Sequence, residues 1–570
     1  MDKKVLLAIA LSIGVMLLWN TVLFPPQQPP APAKPAAAPP PAGKTQEPAP
    51  PAPPVSGPVP PETTGAPPVA TVAAERIEGA APEEKTIDTG PYRIRVGNRG
   101  AAILGWRLKK YVDDAGQPLE LVSPGSAKTD RYPLGIVFAD ARLTEQVARA
   151  LFRMEAAPEP EGKGTRVTFR YADGAGLSVE KILDFSADAY VTHAEIHALR
   201  DGTPLEGQVI WGAGFGPDPG LERKGGNPGD ITQAVIRREG KIVLRPREAL
   251  KEKTELAEPG AVAWAGLSDR YFAALIVPEG GSGGTVLRLH QKIEEGRERN
   301  FLSLGLAPSA SGRYAVFVGP KDHRLVSGLN LGIEGIVDFG FFGAIAQALF
   351  FLLEYINRYT GNWGWSIVLL TFLIRLAFFP LTQKSSVSMR HTQEKMKKIQ
   401  PRMQAIKERY RKMKRDMAGR QKMNEEIMAL YTKEGVNPMA SMSGCLPLLL
   451  QLPILWGFYN LLNVAIDLRQ APFAFWITDL SKKDPYYVTP IVMGVTMLIQ
   501  QAMTGSSIPD ATQRRMLYMM PLVFTWFFKD LPSGLVLYWL VNNVLAIGQQ
   551  YLINAQVARE TAGQNAPARS

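Results

Sequence analysis

Cysteine is all but absent from this chain: Cys445 is the single one in 570 residues, and it opens an apolar run. A disulfide scaffold, a Cys-rich zinc site and an iron–sulfur protein are thereby excluded. No Gly-x-x-x-x-Gly-Lys-Ser/Thr phosphate loop occurs, so the chain has no recognisable nucleotide engine. Gly212-Ala213-Gly214-Phe215-Gly216 is glycine-rich but opens no helical pattern and reads as a turn. His193 and His197 stand four apart in alternating strand sequence with no third ligand, which argues against a metal. No nucleophile–base arrangement is visible, so neither an enzyme nor a cofactor is expected.

The average composition is ordinary, with 46% hydrophobic residues, 21% charged residues and a mean hydropathy of −0.06. The polarity is segregated along the chain, however. Residues 25–68 hold 19 of the 47 prolines. The C-terminal part holds several apolar runs of about 18–22 residues, long enough as helices to span a bilayer core. Net charge is +11, and residues 384–434 carry 15 Lys/Arg against 6 Asp/Glu, so that segment alone supplies +9.

A short basic flank and about twenty apolar residues at 1–24 read as an uncleaved signal anchor, since a cleaved signal has a shorter apolar core. Residues 25–80 form a Pro/Ala-rich tether without a core. From 81 to 330 the pattern changes to period-two alternation broken by turn residues, as in Arg166-Val167-Thr168-Phe169-Arg170-Tyr171 before Asp173-Gly174. Many short strands spaced by Gly, Pro and Asp clusters predict a β-sandwich. It contains no catalytic carboxylate pair, so membrane work by the rest of the chain is expected to tolerate loss of about residues 85–300.

Residues 331–362 include an apolar stretch ending in Glu354, Asn357 and Arg358, which fits an amphipathic helix lying in the membrane interface. Five spans are expected after it, at 363–382, 444–466, 486–504, 516–531 and 534–552. Trp363, Trp365, Tyr486 and Tyr487 stand at span ends, where aromatic rings favour the headgroup region. The basic loop after the second span belongs inside the cell, as do Arg514 and Arg515; the balanced loop 467–485 suits the outside. The fold class is therefore a membrane protein. Six transmembrane helices, an N-terminal anchor plus a five-helix core at 363–555, are expected to form its α-helical bundle. A large periplasmic β-sandwich domain, a cytoplasmic helical hairpin at 384–436 and a short cytoplasmic tail at 556–570 complete it. Both termini fall in the cytoplasm, and an outside domain on an inner-membrane bundle implies a Gram-negative-type envelope.

Arg375 is the anomaly in this plan. It stands thirteenth in its span, nine residues or about 13 Å of helix from Lys384. A buried arginine costs at least ~2.5–3.5 kcal/mol and normally has an ionic partner or water. The six spans offer no acid except Asp530, near the opposite surface. The guanidinium either snorkels to the cytoplasmic face or occupies a hydrated cavity. Thr371, one turn earlier on the same face, favours the cavity, as do Gln451, Asn460, Asn463, Gln500, Gln501, Asn542, Asn543 and Gln549 on other spans.

The basic loop is also patterned. Met396, Ile399, Met403, Ile406, Tyr410, Met413 and Met417 recur at three and four residues, with Met423, Ile427, Met428 and Leu430 on a second helix after Gly419. The stripe either zips a hairpin together or offers a pliable surface to varied apolar partners. Its basic outer side, with Arg409 and Lys412, suits anionic lipids or ribosomal RNA.

Several motifs carry a family resemblance. Trp363-Gly364-Trp365-Ser366-Ile367, Thr371 to Arg375, Gly444-Cys445-Leu446-Pro447, Gln451-Leu452-Pro453-Ile454, Leu468-Arg469-Gln470-Ala471-Pro472-Phe473 and Pro532-Ser533-Gly534-Leu535-Val536-Leu537-Tyr538-Trp539 resemble the YidC membrane protein insertases. Asp269-Arg270-Tyr271-Phe272 and Val318-Gly319-Pro320-Lys321 resemble the periplasmic domain of their Gram-negative branch. The likeness implies an insertase and chaperone for nascent membrane proteins, working alone or beside the Sec translocon, with ribosome and signal recognition components as further partners and no DNA. It also implies that Arg375 and Thr371 belong to a hydrophilic, cytoplasm-facing groove, to which Gln451, Asn460, Gln500, Tyr538, Trp539 and Asn542 are assigned. Met396, Met403, Met413, Arg409 and Lys412 are the expected client or ribosome contacts. Relatives often carry a second tyrosine where this chain has Trp539. The rival is a solute transporter with a periplasmic binding domain, which would show inverted repeats. A passive envelope scaffold would leave Arg375 without a reason.

Overall fold

A computed structural model describes residues 75–564 apart from 160–163, 218–231, 251–253, 295–296, 308–310, 411–416, 436–445 and 506–510. The anchor 1–24, the tether up to residue 74, Lys412, Met413 and Cys445 lie outside the described residues.

The strand-rich part folds as two antiparallel sheets. Glu84–Asp88, Tyr92–Gly97, Ala102–Val112 and Pro118–Glu120 form a four-stranded sheet in chain order. A second sheet of 14 strands has a main path of eleven, from one edge Gly135–Phe138, Gly207–Trp211, Arg297–Ala307, Ser282–Glu294, Glu255–Ser268, Phe272–Pro278, Gly312–Pro320, Val191–Arg200, Leu177–Ser186, Gly164–Ala172 and Arg153–Pro158, with Thr203–Pro204, Gln233–Arg238 and Lys241–Pro246 pairing off it. Alternation drives the packing. Tyr92, Ile94, Val96, Trp106 and Leu108 of the small sheet share one buried core with Phe169, Leu183, Phe185 and Trp211 of the large one. Trp106 is central there, with ring centroids 6.1 Å from Phe185 and 6.4 Å from Trp211.

The outer face of the large sheet starts a second core. Val235, Trp264, Ala273, Leu275 and Phe317 are continuous through Val326, Ile336 and Phe339 with Ala346, Leu349, Leu353 and Ile356 of the helix Gly343–Thr360. From there the core passes to Phe458, Leu461 and Leu462 of the helix Leu446–Val464. The helix Gly343–Thr360 buries its 346–349–353–356 stripe, while Phe351, Leu352, Tyr355 and Tyr359 are exposed. Gly361, with φ +61, caps it in the left-handed region and lets the chain turn.

Polar contacts fasten the sheets to the helices. The Arg270 guanidinium donates to the carbonyls of Leu462 (3.0 Å) and Asn463 (3.1 Å), the last turn of Leu446–Val464. Lys321 Nζ donates to the Asp269 carbonyl at 2.6 Å, so two motifs fifty residues apart meet at this junction. Burial pushes Lys321 down to about 8, with Asp269 opposing the shift, and pushes the Asp269 carboxyl up. Arg469 Nη2 donates to the Val112 carbonyl at 2.7 Å, and Lys482 pairs with Asp114 at 2.5 Å.

One helix runs unbroken from Trp363 to Arg409, through Pro380 and Pro401. The expected span and the first arm of the expected hairpin are therefore a single element. Within its Trp363–Met396 part the most apolar 18 residues have a mean hydropathy of 1.9, and among the described residues this is the one helix both long and apolar enough to cross a membrane by length and composition. Val488–Met503 and Tyr518–Phe528 are shorter apolar helices. The second hairpin helix, Met417–Lys433, begins before Gly419 and includes it.

Lys181 is the unexpected member of the β core. It is 2% exposed, and its only resolved influence is burial, which pushes it down to about 7. The unfolded chain then holds that proton more tightly than the folded one between about pH 7 and pH 10, so stability contributed by this group rises with pH across that window. Lys181→Met is expected to lack the rise: its advantage over the parent in thermal unfolding should be largest below about pH 7 and shrink by about pH 10. Parallel stability–pH curves would refute it.

Candidate functional site

The long helix is anchored at its start. Asn362 Oδ1 accepts from the Trp365 backbone N–H at 3.1 Å, while Asn362 Nδ2 donates to the carbonyls of Pro472 and Phe473. Gly364 lies under the Phe473 ring, where an added Cβ would come within 2.1 Å of it. Three turns on, this fixed helix presents Arg375 to a cleft of about 320 Å³.

Three elements build the cleft. The long helix contributes Ile374, Arg375, Phe378 and Thr382; Leu446–Val464 contributes Gln451 and Ile454; the C-terminal helix Ser533–Gln564 contributes Tyr538 and Asn542. Arg375 Nη2 donates to the Asn542 carbonyl at 3.2 Å. That carbonyl belongs to a helix and supplies no counter-charge. Arg375 Nε and Gln451 Nε2 are buried with no hydrogen-bond partner, and among the described residues no carboxylate reaches the guanidinium. Tyr538 stacks on Phe458 with centroids 4.6 Å apart, which holds its hydroxyl end in the lining. A cation with unused donors, flanked by an unsatisfied amide and an amphipathic phenol, can receive an acidic or carbonyl-bearing guest.

The structure brings Arg375, Gln451, Tyr538 and Asn542 into this one cleft and leaves other assigned residues outside it. Thr371 is buried one turn away, its hydroxyl donating to the Ile367 carbonyl at 2.6 Å. Asn460 Nδ2 donates to the Phe339 carbonyl at 2.9 Å, so it ties the helix to the segment under the sheet. Trp539, one residue and about 100° of helix from Tyr538, packs with Met493, Phe528 and Val536. Its ring lies 5.2 Å from that of Phe528. Gln500 is half-buried on the helix Val488–Gly505.

Thr382 and Phe378 were missed from sequence. They stand seven and three residues after Arg375, on its face of the helix, and that spacing was the available signal. Thr382 Oγ1 accepts from Gln549 Nε2 at 3.0 Å and so joins the long helix to the C-terminal one.

In the hairpin, Ile399 and Met403 are buried, and the Tyr431 hydroxyl lies 3.2 Å from Met403 Sδ. Met396 is half-buried. Arg409 pairs with Glu426 at 3.2 Å, and Arg402 with Glu434 at 2.6 Å. Where the stripe zips the two arms, Met396→Leu and Met403→Leu should change insertion less than about twofold, because a Leu-for-Met exchange conserves volume at under ~1.5 kcal/mol. Strong loss of insertion with an intact hairpin, read by circular dichroism and a vesicle assay, would show instead that the thioethers meet clients.

A family model described as the YidC periplasmic domain matches residues 84–352, and one described as 60Kd inner membrane protein matches 355–560. The chain is 35% identical to the membrane protein insertase YidC of Syntrophus aciditrophicus, over 98% of this chain and 100% of that one. It is also 35% identical to the membrane protein insertase YidC of Citrifermentans bemidjiense, again over 98% and 100%. Among solved structures, an active YidC insertase with its first transmembrane domain resolved is similar over 84% of this chain and 95% of that one, at 17% identity and a TM-score of 0.33.

Proposed function

The chain belongs to the YidC family of membrane protein insertases, and on that premise we propose that the Arg375 cleft is the inner end of a polar groove that receives hydrophobic segments from the cytoplasm. As an inner-membrane insertase with a periplasmic domain it breaks no covalent bond, and family membership sets the solute-transporter alternative aside. The groove reading rests on one observation: a half-buried arginine that keeps a buried, unbonded Nε and no carboxylate partner among the described residues. Such a cation is poorly solvated at rest and attracts the acidic flank of an incoming segment. Water and polar side chains in the groove shorten the apolar barrier from the inner side, and the segment leaves sideways into lipid.

The topology that serves this has six spans, the anchor 1–24 and a core at 363–555, with both termini and the basic hairpin in the cytoplasm. The helices Leu446–Val464, Val488–Gly505, Ala511–Phe528 and Ser533–Gln564 fall where the four later spans are expected. The hairpin's charge suits anionic lipid and ribosomal RNA; the Sec translocon and signal recognition components act beside it. Photocrosslinkers at Ile374 and Phe378 test the reading. They should capture a stalled nascent membrane protein, whereas capture only from outward positions near Trp365 would remove the groove from the route.

A further inference from the structure

One charge in the β core lies outside the Arg375 cleft. On the strand Leu177–Ser186 the inward positions are Leu177, Val179, Lys181, Leu183 and Phe185, so an ammonium occupies a place that the pleat reserves for an apolar side chain. Its register neighbours Phe169 and Ile196 are fully buried and enclose the stem. Lys181 Nζ donates to the Ala101 carbonyl at 2.7 Å, which uses one of its three donors. A neutral side chain could hold that carbonyl without burying a charge, so the hydrogen bond alone does not account for a lysine.

Lys181 stands in the lining of a small cavity between the strand, the turn before Ala102 and the helix Ala141–Arg149. Arg99, with an exposed side chain, and Arg131 also line it, and Asp130 is the one acid among the lining residues. The lining thus holds three basic side chains and one acidic one, a balance that favours an anionic guest. We propose that this cavity binds a small anion, a carboxylate or phosphate group, with the Lys181 ammonium as its principal contact and Arg99 and Arg131 flanking it.

Binding is coupled to a proton. Burial leaves Lys181 titrating at about 7. His290, which burial and then Arg131 and Arg288 push down to about 4, stays neutral there. An anion favours the ammonium form, so affinity rises as pH falls through about 7.

The test is calorimetric titration of the full chain in nanodiscs with sodium acetate, whose charge is constant in the range, and separately with inorganic phosphate. Acetate or phosphate should bind saturably, one per chain. Acetate should bind about tenfold or more tightly at about pH 6 than at about pH 9, because the protonated fraction of Lys181 sets the affinity. Lys181→Met should abolish the binding in a protein whose thermal unfolding remains cooperative, and Arg131→Gln should weaken it about fivefold, a loss near 1 kcal/mol. Should Lys181→Met fail to fold, Arg131→Gln and the pH dependence decide. Saturation by neither probe, binding untouched by the substitutions, or affinity independent of pH overturns the proposal and leaves an adventitious ion only.

Discussion

Arg375→Glu is expected to abolish insertion of clients whose translocated flank is acidic, and Arg375→Ala to reduce it about 30-fold. One charge–charge contact in a half-hydrated groove is worth roughly 2 kcal/mol at an effective dielectric near 20–30, which converts to that factor. Glutamate adds repulsion of similar size. Lysine should retain much of the activity, because partners vary and no fixed bidentate geometry has to be met, although its ammonium is more strongly hydrated. The measurement uses vesicles carrying each variant and paired clients that differ only in an acidic or neutral flank. Wild type should favour the acidic flank and Arg375→Ala should not. Equal treatment of both clients by wild type and Arg375→Ala would remove charge attraction from the mechanism and leave the arginine as a snorkelling side chain.

Arg270→Ala is expected to loosen the groove from the periplasmic side. The guanidinium bonds two carbonyls in the last turn of Leu446–Val464 and lies 4.9 Å from the Tyr271 ring centroid. Hydrogen bonds from a charged donor contribute about 1.5–3 kcal/mol, so losing this clamp should raise amide exchange at Leu462–Ile466 by roughly 10–100-fold. The same helix carries Gln451 and Ile454 in the cleft, so insertion should fall as well. Arg270→Lys restores the charge but reaches one carbonyl at a time and should recover part of both readouts. Unchanged exchange and unchanged insertion in Arg270→Ala would show that the sheet merely rests on the helices. A truncation of about residues 85–300 removes this contact with the domain, so the tolerance expected from sequence depends on how much of the cleft's shape Arg270 maintains.

What was legible from the sequence was local and periodic. Alternation marked the strands, three-and-four spacing marked the hairpin stripe, and a charge alone in an apolar run marked Arg375, because each pattern follows from the repeat of one element. The apolar run expected at 444–466 is the helix Leu446–Val464, and the segment expected to be an amphipathic helix holds the helix Gly343–Thr360. Pro380 stands inside the expected span and inside the observed helix, where flanking turns and packing offset one lost hydrogen bond. Lys181 escaped notice because Ile182 beside it permits the opposite facing, and a one-residue shift of register exchanges the two sides of a strand.

Only the tertiary structure could decide which polar residues meet. Asn460 and Gln451 share one helix, yet the first is taken up by the Phe339 carbonyl and the second lines the cleft beside Tyr538. Tyr538 and Trp539 are sequence neighbours on different sides of one helix, each sorted by the partners it faces. Arg270 finds its carbonyls 192 and 193 residues away. A sequence records which side chains need partners; the pairing depends on where separate elements cross, and no local repeat encodes that distance.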